Sequence, residues 1–194
     1  MRALAQRVAD ALPAEVAEEV VLTGSVSRGL ADEVSDIEML VVTGEPLELE
    51  DCFGLARAAG LGELDTWGAW DEQARRVSGY LERVPLELVW WPREYAEARI
   101  DALLAGEAPS TADALVHGVP LRTTGLLAAW QERLREYPQE LAAAQIEEAL
   151  TEPDPQRALR IMTELQLETV LLAPSGPNID RAQLWLREAA QVLR

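Results

Sequence analysis

The chain has 194 residues, 48% of them hydrophobic and 26% charged, and its 34 acids outweigh 17 arginines to give a net charge of −17. That size and composition suit one sizeable globular domain or two small ones, and the acidity argues against sequence-independent binding of a phosphate backbone, so no nucleic-acid partner is expected. The single cysteine, Cys52, forbids an intrachain disulfide, no Cys/His cluster offers a zinc site, and no apolar run reaches the length of a membrane span.

The opening stretch MRALAQRVADALPAEV is amphipathic and carries acids. It reads as neither a secretory signal nor a transit sequence, and a cytoplasmic location is the expectation. Residues 2–18 predict a helix, with Leu4, Val8, Leu12 and Val16 near helical spacing. Two strands follow at 19–24 and 36–43, separated by a turn region at 24–35. A helix near 50–60 ends at Gly60 and Gly62. Strand character returns at 64–70 around Trp67 and Trp70, at 75–82 and at 85–91.

From Pro92 onward the pattern is almost wholly helical, with candidates at 93–106, 110–117, 125–137, 138–150, 154–173 and 180–193. The run Ala173-Pro174-Ser175-Gly176-Pro177 is a breaker. The expected fold is α+β. A mixed-sheet domain with flanking helices covers 1–92, and a helical bundle covers 93–194. A cleft between two such domains is a natural ligand site.

The most informative stretch is Val21 to Val42, VLTGSVSRGLADEVSDIEMLVV. Asp36 and Glu38 are two apart on a predicted strand, so they share a face at a spacing of about 6.8 Å. Gly24-Ser25, straight after an apolar strand, offers backbone N–H groups and a hydroxyl to phosphate. Glu87 is a lone acid inside the apolar run PLELVWW, and burying it ionised is costly unless it is paired or bound to metal. Together these residues suggest divalent-metal and nucleotide chemistry.

Duller alternatives stand beside each. Asp36 and Glu38 would also suit the wet side of an edge strand, and Glu87 would also suit a solvated position. Arg28 either grips phosphate or pairs with Asp32 or Glu33, and Ser35 either touches ligand or caps a turn. His117, the single histidine, reads as structural. Trp90 and Trp91 suit a core and a domain interface, with stacking on a ligand ring as the other option, and Cys52 reads as a small buried side chain.

Gly24-Ser25, Arg28-Gly29 and Ser35-Asp36-Ile37-Glu38 between two apolar strands resemble the signature of the DNA polymerase β-like nucleotidyltransferase superfamily. The spacing is similar to its small bacterial branch, which includes the minimal, aminoglycoside and lincosamide nucleotidyltransferases. Leu115 to Leu126, followed by a helix and Tyr137-Pro138, resembles the helical region that follows the catalytic domain in such proteins. The resemblance implies an enzyme that moves a nucleoside monophosphate, with AMP from ATP the first expectation, to a hydroxyl of a small acceptor. Asp36, Glu38 and Glu87 would be catalytic and hold magnesium, two ions being usual in such sites. Gly24, Ser25, Arg28 and Ser35 would hold the nucleotide.

An aminoglycoside-like polycation, and hence antibiotic resistance, suits the negative charge. The resemblance also implies a general base from the helical domain. Glu107, Asp113, Glu132, Glu164 and Glu168 are available, and Glu164 and Glu168 share a helix face. Relatives often carry a late basic residue for the triphosphate, a role left here to Arg181 or Arg187. The alternative implied function is an antitoxin-like minimal nucleotidyltransferase that binds or nucleotidylylates a helical toxin. A homodimer is compatible with either reading.

Overall fold

Apolar strand segments build a six-stranded mixed sheet in the computed structural model, which describes residues 1–29, 31, 33–66, 73–105 and 115–136. In chain order the elements are α1 (Arg2–Ala11), β1 (Ala17–Thr23), α2 (Gly24–Ser27), β2 (Ile37–Thr43), α3 (Leu49–Ala58), β3 (Gly62–Asp65), β4 (Arg75–Leu81), β5 (Val84–Pro92), α4 (Arg93–Leu104), β6 (Val119–Arg122) and α5 (Leu126–Leu134). The strand order is β3-β4-β5-β2-β1-β6. β2 and β5 run parallel, and the other neighbours are antiparallel. This is the mixed sheet with helices that the pattern predicts.

One face of the sheet carries the larger core. Val20 and Leu22 of β1, Ile37, Met39 and Val41 of β2, Val77 and Leu81 of β4, and Leu86, Leu88 and Trp90 of β5 bury against Ala5, Val8 and Ala9 of α1 and Cys52 and Ala56 of α3. The period-2 alternation of strands meets the helical spacing of α1 and α3 on that face. Burial drives the Cys52 thiol up to about 12, so it is inert at neutral pH, as its reading as a small core side chain implies. On the opposite face Val21, Leu40, Val42 and Trp91 are buried, and Trp91 meets Tyr95 edge-to-face at 5.5 Å.

Two boundaries differ from expectation. The first helix stops at Ala11 instead of running to 18, because Leu12 is extended (φ −74°, ψ 136°) ahead of Pro13. Arg122 then satisfies the loose carbonyls at that end, donating to Ala9 O at 2.6 Å and Leu12 O at 2.8 Å. β6 is a strand within a stretch that reads as helical. It pairs with β1 at the sheet edge, where a proline (Pro120) is tolerated. The helices expected at 138–150, 154–173 and 180–193, most of 110–117, and Trp67 and Trp70 lie outside the described residues.

Residues Met1–Ala98 and His117–Trp130 form one compact unit. Glu19 ties its two segments together. This fully buried side chain on β1 accepts hydrogen bonds from Thr123 Oγ1 (2.6 Å), Thr124 N (2.6 Å), Thr124 Oγ1 (2.9 Å) and Leu127 N (3.3 Å), which satisfies the start of α5. The remaining described residues, 99–105, 115–116 and 131–136, group as a second unit. Within it Ile100, Leu103, Leu115 and Leu134 are buried, Arg133 pairs with Asp101, and Gln131 donates to Leu115 O at 2.9 Å.

β4 and β5 are joined by the two-residue turn Glu82-Arg83, with φ of 52° and 71°. Left-handed backbone at both positions is what a type I′ hairpin needs, and neither residue is glycine. Arg83→Gly removes a left-handed penalty of about 1–2 kcal/mol and adds glycine's smaller entropic cost, so a net gain of about 0.5–1 kcal/mol is expected. Urea denaturation checks this, and an unchanged or lowered midpoint would refute it.

Candidate active site

A polar row crosses the sheet at the end where β1 leaves and β2 enters. Ser78 on β4 is in register with Glu87 on β5, Glu87 with Glu38 on β2, and Glu38 with Thr23 on β1. Residues in register on adjacent strands point the same way, so these four side chains share one face. Asp36 stands one residue before β2. With Glu87, Arg76 and Ser78 it lines an open cleft of about 330 Å³, whose rim also includes Glu63, Asp65 and Tyr80. The sheet therefore sets Glu38 beside Glu87 across the parallel pair β2–β5, and the cleft is lined by Asp36 and Glu87.

Gly24 explains how Glu38 is seated. β1 ends at Thr23, and Gly24 turns the chain into α2 with φ +64°. A Cβ at Gly24 would lie 2.7 Å from Glu38 Cδ and in collision with Oε2. The Glu38 carboxylate thus occupies the space that only a glycine leaves. Gly24→Ala is expected to displace that carboxylate and to cost about 1–2 kcal/mol from the left-handed backbone alone. Urea denaturation reads the stability loss, and Mn²⁺ binding reads the displaced carboxylate. Wild-type values in both would show that the turn relaxes freely.

The other residues of the signature flank this point. Ser25 lies in α2, half-buried, and Ser35 is half-buried beside Asp36. The Gly24 carbonyl accepts from Ser27 Oγ at 2.9 Å and from Arg28 Nε at 3.2 Å, so the Arg28 side chain folds back along α2. Asp32, one suggested partner of Arg28, lies outside the described residues. Glu107, Asp113, Glu164, Glu168, Arg181 and Arg187 do as well. Glu132 is described, and it sits in an exposed ion pair with Arg135 on the surface.

Glu87 is only 7% exposed, which removes the reading of it as a solvated strand position. Its carboxyl is pushed above its ordinary value of 4.5, first by burial and further by the charge of Asp36, while the hydrogen bond and charge of Arg76 oppose the rise. The sign of the pH effect follows. The folded state holds this proton more tightly than the unfolded state does. Its stabilising contribution is complete below 4.5 and lost as pH rises through the higher folded value. The Arg76 guanidinium offsets part of the cost of burying the ionised carboxyl. Titration of the Glu87 carboxyl carbon by NMR, in chelator, is expected to show a midpoint above 4.5. A midpoint at or below that value would contradict the burial argument.

Carboxylates suit a hard divalent cation in their chemistry. Among the described residues, no three His, Cys, Asp or Glu side chains are already converged as a metal-holding group. The Glu87 carboxylate is engaged instead by the guanidinium of Arg76. Arg76, Ser78 and Thr23 are site residues that the sequence pattern did not single out. A trace of Arg76 was visible, since it falls opposite Val77 in the alternation of β4 and on the same side as Ser78.

No family model matches the chain. No curated protein matches it. Among solved structures it is similar to a nucleotidyltransferase-like protein from Exiguobacterium sibiricum 255-15, with 13% sequence identity and a TM-score of 0.35. The match covers 89% of this chain and 58% of that one.

Proposed function

We propose that this chain is a magnesium-dependent nucleotidyltransferase that moves a nucleoside monophosphate, with AMP the first to be tested, from a nucleoside triphosphate to a hydroxyl of a small acceptor. The observation that carries the reading is the register of Glu38 with Glu87 on parallel strands, with Asp36 and Glu87 lining one cleft and the Gly24 elbow against Glu38. Asp36, Glu38 and Glu87 would hold the divalent ions. Bound magnesium would neutralise charge on the triphosphate and on the departing pyrophosphate. Gly24, Ser25, Arg28 and Ser35 would hold the nucleotide.

The transfer itself is balanced simply. The acceptor oxygen forms a bond to the α-phosphorus, the bridge to the β-phosphate breaks, and pyrophosphate leaves with that electron pair. The hydroxyl proton passes to a carboxylate base. The cleft rim favours an amine-rich acceptor. Its lining holds four acids, Asp36, Glu63, Asp65 and Glu87, against one arginine, Arg76, and the half-exposed Tyr80 offers a ring face. An aminoglycoside-like polycation has that chemistry.

The test is incubation of the protein with labelled nucleoside triphosphates, Mg²⁺ and a panel of aminoglycosides, lincosamides and uncharged polyols. Label transfer to a cationic member, abolished by chelator, supports the proposal. Absence of transfer, together with no Mg²⁺-dependent stabilisation by any triphosphate, would refute it.

A further inference from the structure

Tyr80 is the one exposed aromatic ring among the described residues, with 46% of its surface open to solvent. The cause lies in the sheet register. Tyr80 on β4 stands between Gly62 of β3 and Pro85 of β5, its partners on either side. Cross-strand partners set what covers a side chain on that face. Gly62 has no side chain and Pro85 a short rigid one, so neither folds over the phenol. The alternation that puts Tyr80 on this face puts Ser78 and Arg76 there too, and all three line the cleft. A large ring left open inside a concave cleft forgoes burial that a ligand would restore.

The surroundings of the ring select that ligand. Glu63 and Asp65 of β3 line the cleft together with Tyr80, and so do Asp36 and Glu87. Acids alone attract any cation, including a strongly hydrated inorganic one. An aromatic face discriminates, because its quadrupole favours a loosely hydrated cation, an organic ammonium above all. An apolar stem beside that ammonium gains contact with Tyr80 and Pro85. We infer that Tyr80 is a specificity-determining residue whose ring seats an organic ammonium group carried on an apolar stem. This role rests on the proposed reading of the cleft as the acceptor's seat, and it says which feature of the acceptor is recognised. No bond is made or broken, and no metal ion takes part.

The test is direct binding to the full chain, in chelator and without nucleotide, titrated by saturation-transfer NMR. The probes are hexamethonium, its parent hexamethylenediamine, and the neutral hexanediol. Hexamethonium has no N–H to give a carboxylate, so it leans on the ring and on charge. Both dications are expected to bind, and the diol is not. Tyr80→Leu is expected to weaken hexamethonium about tenfold, and the parent diamine, which keeps its hydrogen bonds to carboxylates, about twofold. Tyr80→Phe keeps the ring and should leave both affinities unchanged. Tyr80→Trp offers a better ring and should tighten hexamethonium about threefold, which decides the matter if the leucine variant does not fold. Equal losses of the two dications in Tyr80→Leu, a loss in Tyr80→Phe, or no gain in Tyr80→Trp would overturn the inference. Binding of both dications that ignores the ring overturns the role of Tyr80 alone. If neither dication binds, the acceptor's seat in the cleft falls with it.

Discussion

Asp36→Asn is expected to lower nucleotidyl transfer by about 10²–10³-fold, the scale seen when one preorganised electrostatic contact is removed from an active site. The substitution keeps the size and shape of the side chain and deletes one negative charge. Asp36 lines the cleft and raises the proton affinity of Glu87, so it belongs to the same electrostatic group. Its loss weakens the field that would hold a divalent ion. Stability should barely change, because Asp36 is only half-buried and its repulsion of Glu87 disappears. The comparison is label transfer at saturating Mg²⁺ alongside a urea melt of the same preparation. Full activity in the variant would remove Asp36 from the metal assignment. A collapsed melt would mean that its role is structural.

Glu19→Ala should give the largest loss of stability, about 3–5 kcal/mol, with the site itself untouched. The carboxylate is fully buried and accepts from four donors in the segment 123–127. Alanine leaves the Thr124 and Leu127 amides without an acceptor and opens a small void behind β1. Glu19→Gln keeps one acceptor oxygen but turns an NH₂ group toward donors, so a loss of about 1–3 kcal/mol is expected. Equilibrium denaturation in urea separates the two. A cost below about 1 kcal/mol for the alanine variant would mean that water replaces the carboxylate and that this contact is not what holds 117–130 to the sheet.

Much of the sheet is legible along the chain because its signals are local. The runs rich in apolar residues predicted as strands at 19–24, 36–43, 75–82 and 85–91 return as strands with nearly those limits. Where the reading failed, a non-local partner decided. β6 has only four residues and a proline, too short to show a period. It is a strand because β1 offers it an open edge. The stop of α1 was legible in principle, since Leu12 precedes a proline, but the helical spacing of Val16 obscured it.

The site shows the same division. The i, i+2 spacing of Asp36 and Glu38 and the glycine that follows an apolar strand are facts of local sequence. They suffice to pick out Asp36, Glu38 and Gly24 as a group, because the geometry of an extended chain determines which side chains neighbour each other over two residues. No local rule places Glu87 beside Glu38. That depends on β5 docking parallel to β2 with Leu86 opposite Ile37, and a slip of one residue would send Glu87 to the apolar face. Arg76 is decided at the same level, because its partner lies across a strand pair and its charge gains meaning only once Glu87 is buried. Composition and periodicity thus determined the acidity, the strands and the paired acids of β2. Packing of the sheet alone decided which third carboxylate joins them and which cation stands against it, since both depend on contacts between residues far apart in the chain.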